Sequence, residues 1–304
     1  MDFRKWILPA VLAGTWLPYA SSQGGGSIKR PPIVGVAHIA LKTNDLAAAR
    51  NFYGHFLGYK EAFPASVSGT AHFKVNDHQY IEVSPGLADE SEDRLLHICF
   101  ETTNARQLRD YLAGRGVKVP DRLQHDADGN YSMMISDPEG HSVEFLEYAK
   151  GSVQSRNFGK ALAATRISEH IIHVGFIVQD RAAEDGFFRD ILGFHEFWHG
   201  GMTDDRADWI DMRVPEGTDW LEYMMNVRNP TPKTRGVMNH LALGVPNVEA
   251  AHRTLLERGM QMDQPKIGRD GKWQLNLYDP NLTRAELMEP KPVQTPCCSP
   301  MLDH

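Results

Sequence analysis

The sequence predicts an α+β protein built from four tandem copies of a βαβββ unit. Three observations carry this. Val36–Leu57 (VAHIALKTNDLAAARNFYGHFL) and Ile171–Leu192 (IIHVGFIVQDRAAEDGFFRDIL) share one plan: an apolar strand with a central His, a turn ending in Asp, and an amphipathic helix with an aromatic pair. Leu95–Val117 and Asn239–Met260 repeat the strand, turn, helix and Gly stop in shorter form. Each of the four stretches is followed by segments of strand character. Repetition on this scale outranks local propensity as evidence of architecture.

In chain order, the first helix carries Phe52–Tyr53 and stops at Leu57–Gly58; strands then read at Tyr59–Phe63, His72–Val75 and Gln79–Val83. The second unit continues with strands at Tyr131–Ile135 and Ser142–Tyr148. The third carries Phe187–Phe188, stops at Leu192–Gly193, and reads as strand at Glu196–Trp198, Trp209–Val214 and Trp220–Met225. The fourth adds Trp273–Leu277 and Arg284–Met288. Gly151–Arg166 reads as the link between halves, and Pro230–Gly236 as a loop within the second half.

Composition bounds the function. With 304 residues, 41% hydrophobic and 23% charged, the chain is globular, neither collagen-like nor largely disordered. A net charge of −7 without a Lys/Arg-rich run excludes the footprint of a nucleic-acid binder. Three cysteines exclude a disulfide scaffold and a cysteine-based zinc finger. Arg4 and Lys5, the apolar stretch Trp6–Ala20 and the small residues Ala20 and Ser22 read as a signal peptide over residues 1–22, which predicts a secreted or periplasmic protein. The apolar run is short and holds Pro9 and Pro18, so no stable membrane insertion is expected after cleavage.

The repeat also has a chemical register. The first strand of each unit carries a His: His38, His97, His173 and His240. The last carries a Glu: Glu82, Glu144, Glu222 and Glu286, at separations of 44, 47, 49 and 46 residues. These groups sit among apolar neighbours, where an unpaired carboxylate is costly to bury. A divalent ion that binds imidazole and carboxylate together removes that cost.

With these motifs the chain resembles the vicinal oxygen chelate superfamily, which includes glyoxalase I, type I extradiol dioxygenases, methylmalonyl-CoA epimerase and bleomycin-resistance proteins. The motifs are VAHIAL, YIEV, LLHICF and DPEGHSVEFLE in the first half, and IIHVGFIV, WLEYM, NHLALGV and YDPNLTRAELME in the second. The resemblance implies that units pair into two cupped mixed sheets, residues 33–150 and 167–290, followed by a tail at 291–304. It implies a metal (zinc, manganese or iron) held by His38, Glu82, His97 and Glu144 in one cup, or by His173, Glu222, His240 and Glu286 in the other. The second cup is the expected working site, because it has more aromatic residues and the extra His195 and His199.

The resemblance leaves the reaction open between a lyase or isomerase and an extradiol dioxygenase. An extradiol enzyme would use His173, His240 and Glu286, but the family's His and Tyr before the last Glu are missing: Ile267–Leu277 holds no His, Asn276 stands at the Tyr position, and Tyr278 is two residues out of register. Export also makes Fe(II) harder to keep reduced. In a glyoxalase or epimerase reading, Glu222 or Glu286 moves a proton, with His195 a candidate acid/base over the cup. The alternative is a non-catalytic protein of the bleomycin-resistance type, binding an aromatic ligand between Phe197, Trp209, Trp220 and Trp273. Arg235, Arg269, Lys272 and Trp273 are candidate rim residues for a substrate carboxylate. Cys99 reads as a buried small hydrophobe, and Cys297–Cys298 as a pair bonded to each other or to a second chain. The expected partner is a small-molecule substrate; a homo-oligomer stays open.

Overall fold

The computed structural model describes residues 28–63, 69–89, 92–125 and 128–302. The signal segment at residues 1–22 lies outside them. Among the described residues no helix is long and apolar enough to cross a membrane.

All four βαβββ units are present. The first comprises β1 (Ile33–Thr43), α1 (Leu46–Ala49, continued as a π-helix over Arg50–Phe56), β2 (Lys60–Glu61), β3 (Ala71–Lys74) and β4 (Tyr80–Pro85). The second comprises β5 (Leu95–Thr102), α2 (Ala105–Gly114), β6 (Gln124–His125), β7 (Tyr131–Ser136) and β8 (Ser142–Glu147). After a short linker helix α3 (Val153–Arg156), the third runs β9 (Ile171–Ile177), α4 (Arg181–Glu184, continued as a π-helix over Asp185–Arg189), β10 (His195–Gly200), β11 (Trp209–Arg213) and β12 (Trp220–Met224). Then come α5 (Pro232–Met238), β13 (His240–Gly244), α6 (Val248–Glu257), β14 (Lys266–Ile267), β15 (Trp273–Tyr278) and β16 (Arg284–Met288).

Local chemistry repeats with the fold. Each unit's helix opens on an Asp or Asn whose side chain accepts backbone N–H groups of the first turn: Asp45, Asn104, Asp180 and Asn247. Each ends near a glycine with positive φ, as at Gly58, where a Cβ would also lie 2.1 Å from the Thr165 carbonyl oxygen. Two differences from the sequence reading have simple causes. The strands β6 and β14 are two residues long, too short to show a period. The Pro230–Gly236 stretch is not a plain loop: Thr231 caps Thr234 N–H, Pro232 starts the helix, and α5 forms.

The strands form two eight-stranded mixed sheets, ordered β2-β3-β4-β1-β5-β8-β7-β6 and β10-β11-β12-β9-β13-β16-β15-β14. Units one and two therefore share one sheet, and three and four the other. In both, the central pair is antiparallel (β1·β5, β9·β13), flanked by parallel neighbours. All eight His and Glu residues of the repeat lie on the four central strands of their sheet. One apolar core runs through both halves, and Phe100 meets Phe194 across it at 5.2 Å between ring centroids.

The seam is also polar. Asp219 accepts from Val36 N–H and Gln79 Nε2, and its other oxygen lies 2.6 Å from His170 Nε2. That hydrogen bond raises the His170 pKa above its ordinary 6.5. A raised folded-state value means the stabilisation is complete below the unfolded pKa and is lost as pH rises through the folded one. A His170→Gln variant should therefore melt below wild type by a margin widest near pH 5, closing as pH rises. Melting curves across the range check this, and a margin that ignores pH would refute it.

Candidate metal centre

In the second cup, β9 and β13 bring His173 and His240 face to face, with Nε2 atoms 3.0 Å apart. Glu222 Oε2 lies 3.1 Å from His240 Nε2 and 3.7 Å from His173 Nε2. Glu286 Oε2 lies 3.7 Å and 3.9 Å from the same two nitrogens. The first cup repeats the arrangement. His38 and His97 have Nε2 atoms 2.8 Å apart, Glu144 Oε2 is 3.2 Å from each, and Glu82 Oε2 is 3.7 Å from His38 Nε2. The structure thus gathers all eight sequence-derived candidates into two clusters of four.

The second cluster fits a divalent ion. His240 Nδ1 donates to the Met238 carbonyl at 2.7 Å, which fixes the Nε2 lone pair toward the cluster. Burial holds both imidazoles well below their ordinary pKa, hence neutral, the form that ligates. Burial likewise pushes Glu286 up to about 7. That is the strain a cation would relieve.

A cavity of about 510 Å³ opens onto this cluster, lined by His173, Glu222 and Glu286 and walled by Trp198, Trp209 and Met224. Of the ligand pair, Glu286 has a side chain 5% exposed and Glu222 14%, so Glu222 is the one within reach of an incoming molecule. Opposite Glu222 in the β11–β12 ladder stands Asp211, which also lines the cavity. Burial, then the charge of Glu222, holds Asp211 well above the usual carboxylate range.

The remaining sequence candidates sort by strand alternation. Trp220 lies under His173 at 4.8 Å, and Phe197 packs on Trp220 at 5.4 Å. Trp273 belongs elsewhere: with Leu275 and Leu277 it faces the main core, while Gln274 and Asn276 point into the cavity. His195 opens the edge strand β10 opposite Arg213 and does not line the cavity. His199 binds Glu196 at 2.7 Å. Arg235 pairs with Asp93 at 3.4 Å. Arg269 lines the cavity, and Lys272 is buried with Nζ 5.0 Å from the Trp220 ring centre. Cys99 is buried on the cup face of β5, beside His38 and Glu144. Cys297 and Cys298 are bonded to each other.

Among the cup residues that escaped the sequence reading, three stand beside the clusters. Asp211, and its counterpart His72 opposite Glu82, follow only from hairpin register. Arg284 follows from alternation alone, two residues before Glu286.

Residues 35–145 match a model of the Glyoxalase/Bleomycin resistance protein/Dioxygenase superfamily, and residues 172–277 match a second model of the same superfamily. No curated protein matches the sequence. Among solved structures, the chain is similar to the 2,3-dioxygenase LapB from Pseudomonas sp. KL28, with TM-score 0.68, 15% identity, and 88% of this chain and 97% of that one covered. It is similar to the Mn(II)-bound glyoxalase from Novosphingobium aromaticivorans, with TM-score 0.65, 18% identity, and coverage of 85% and 83%. It is also similar to homoprotocatechuate 2,3-dioxygenase from Brevibacterium fuscum, with TM-score 0.64, 16% identity, and coverage of 86% and 82%. At such identities these likenesses concern the fold, two cupped sheets from four repeated units. Together with the two family matches, they establish that the chain belongs to the Glyoxalase/Bleomycin resistance protein/Dioxygenase superfamily.

Proposed function

We propose that the second cup is the active centre of a divalent-metal enzyme that moves a proton on a small substrate chelated through vicinal oxygens, an isomerase or lyase. The observation that carries this is the four-group cluster of His173, His240, Glu222 and Glu286 on the floor of a cavity large enough for a small molecule. When bound, a divalent ion would act there as a Lewis acid on the chelated oxygens. His173, His240 and the more buried Glu286 are its firm holders. Glu222 reaches the cavity and takes the proton; Asp211, opposite it in the ladder and held above the usual carboxylate range by burial, is the group that supplies one in return. Asn276 and Gln274 bring only amides to the wall where an extradiol enzyme would need an acid/base pair.

The second reading, ring cleavage, is favoured by one feature: His173, His240 and Glu286 alone form an all-buried two-His, one-carboxylate set among the described residues. The test is incubation of protein loaded with manganese, zinc or iron with chiral 2-hydroxy acids in deuterated water, and with catechols under oxygen. Deuterium exchange that falls at least about 100-fold in Glu222→Gln, with metal retained, is the expected result. Oxygen uptake with catechols instead would move the assignment to a dioxygenase, and neither reaction would leave a binding protein. Export remains part of the proposal. It rests on residues 1–22, and intact-mass measurement of extracellular or periplasmic protein, with cleavage near Ser22, checks it.

A further inference from the structure

Arg284 lines the second cavity, and among the described residues it makes no direct ion pair, its charge acting on the Glu286 carboxylate from farther off. Its Nη2 donates to His240 Nε2 at 2.8 Å, and its Nε is buried without a hydrogen-bond acceptor there. Of the other cations lining or bordering the cavity, Lys266 is exposed on the edge strand β14, and two are engaged. Arg269 pairs with Asp204 and donates to the Gly201 carbonyl, and Lys272 lies 3.5 Å from Asp270.

His240 has one Nε2 lone pair, because its Nδ1 is committed to Met238. An ion and the guanidinium cannot both take it. With the proposed metal in place, the Arg284 Nη2 loses its acceptor while Nε still has none. These two N–H groups form one edge of the guanidinium, the edge that grips a carboxylate bidentately. Leaving both buried and unpaired would be costly. The charge balance points the same way. A divalent ion neutralises Glu222 and Glu286, and Arg284 then stands as an uncompensated positive charge in a partly apolar cavity.

We propose that the substrate of this centre carries a carboxylate, separate from or adjoining its chelating oxygens, and that Arg284 is the specificity-determining residue that receives it. The remainder of the substrate is apolar, matched to Trp198, Trp209 and Met224. This rests on the metal-centre reading above and adds the substrate's charge to it.

The experiment measures binding by calorimetry to manganese-loaded wild type, Arg284→Met and Arg284→Lys. The probes are 3,4-dihydroxybenzoate against 3,4-dihydroxybenzamide, and mandelate against mandelamide. The expected result is that wild type binds at least one acid about tenfold or more tighter than its amide. Arg284→Met should bind acid and amide alike at unchanged manganese content. Arg284→Lys should recover part of the preference, since it restores the charge but not the fork. Equal binding of acid and amide by wild type, binding of neither, or a preference that survives in Arg284→Met overturns the proposal. If Arg284→Met does not fold, the wild-type ratio and Arg284→Lys decide. If wild type takes up no manganese, the metal-centre reading fails and the proposal falls with it, whereas manganese uptake without an acid preference overturns the proposal alone.

Discussion

A single methyl group at Gly175 should strip the second cup of the metal proposed for it. Gly175 stands opposite His240 in the β9–β13 ladder, and a Cβ there would lie 2.1 Å from His240 Cε1 and 2.4 Å from Nδ1. Neither side can yield cheaply. β9 is held between β12 and β13 in the middle of the sheet, and the imidazole is tied to Met238. Gly175→Ala must push the ring out of the cluster, breaking the approach of its Nε2 to His173. The expected outcome is at least about 100-fold weaker metal binding, with about 1–3 kcal/mol of lost stability from overpacking. Metal analysis after dialysis, in a His38→Ala/His97→Ala background so that only the second cup is read, checks this. Retention of the metal at wild-type affinity would mean that His240 is not a ligand.

The first cup shows why the effect is specific. There Ala40 faces His97 across the same ladder position, and the His97 side chain is 15% exposed, whereas that of His240 is fully buried. The methyl group lifts one imidazole, and the glycine lets the other sink. The cups also differ in how their carboxylates are satisfied. Burial raises Glu144, but hydrogen bonds from His38 and His97 outweigh it and hold it well below the usual range. The first cluster has thus largely closed on itself. In the second, Glu286 and Asp211 are left high by burial, beside an open cavity. This contrast supports the second cup as the working site.

The fold and the eight cluster residues were legible because each was written four times. A lone His38 in a strand says nothing; four histidines on four first strands, each followed by a glutamate on a last strand, fix a face and a partner. Pairing of units into cups came from resemblance rather than from the residues. What stayed hidden occurs once. Arg284 has no counterpart motif in the other units, and Asp211 and His72 acquire their roles from the residue across the hairpin, which no local pattern announces. His195 and Trp273 misled for the same reason. Composition near a motif does not tell which way a strand turns its side chains, and β10 carries a register shift between Glu196 and Trp198 that composition does not show.

Replacing Glu184 with glutamine should stabilise the protein at neutral and alkaline pH. Glu184 is fully buried where α4 of the second half meets the Asp137–His141 turn of the first. One oxygen accepts Glu139 N–H at 3.2 Å, and the other is buried without a partner among the described residues. Burial first, then the charge of Asp137, pushes its pKa up to about 8. An unfolded glutamate ionises near 4.5, so the carboxyl binds its proton more tightly in the folded state. The folded state is therefore most favoured below that pH, and wild type loses stability as pH climbs toward 8. The substituted amide keeps an acceptor for Glu139 N–H and carries no charge to bury, so Glu184→Gln escapes that loss. The shift sets an upper bound of about 5 kcal/mol, and relaxation of the turn reduces the expected gain to about 1–3 kcal/mol at pH 8, shrinking to nothing near pH 4.5. Urea unfolding of both proteins across this range measures it. A gain that fails to grow with pH would show that Glu184 is ionised in the folded protein. The seam between the halves would then carry an anion that Asp137 and Asp180 must tolerate.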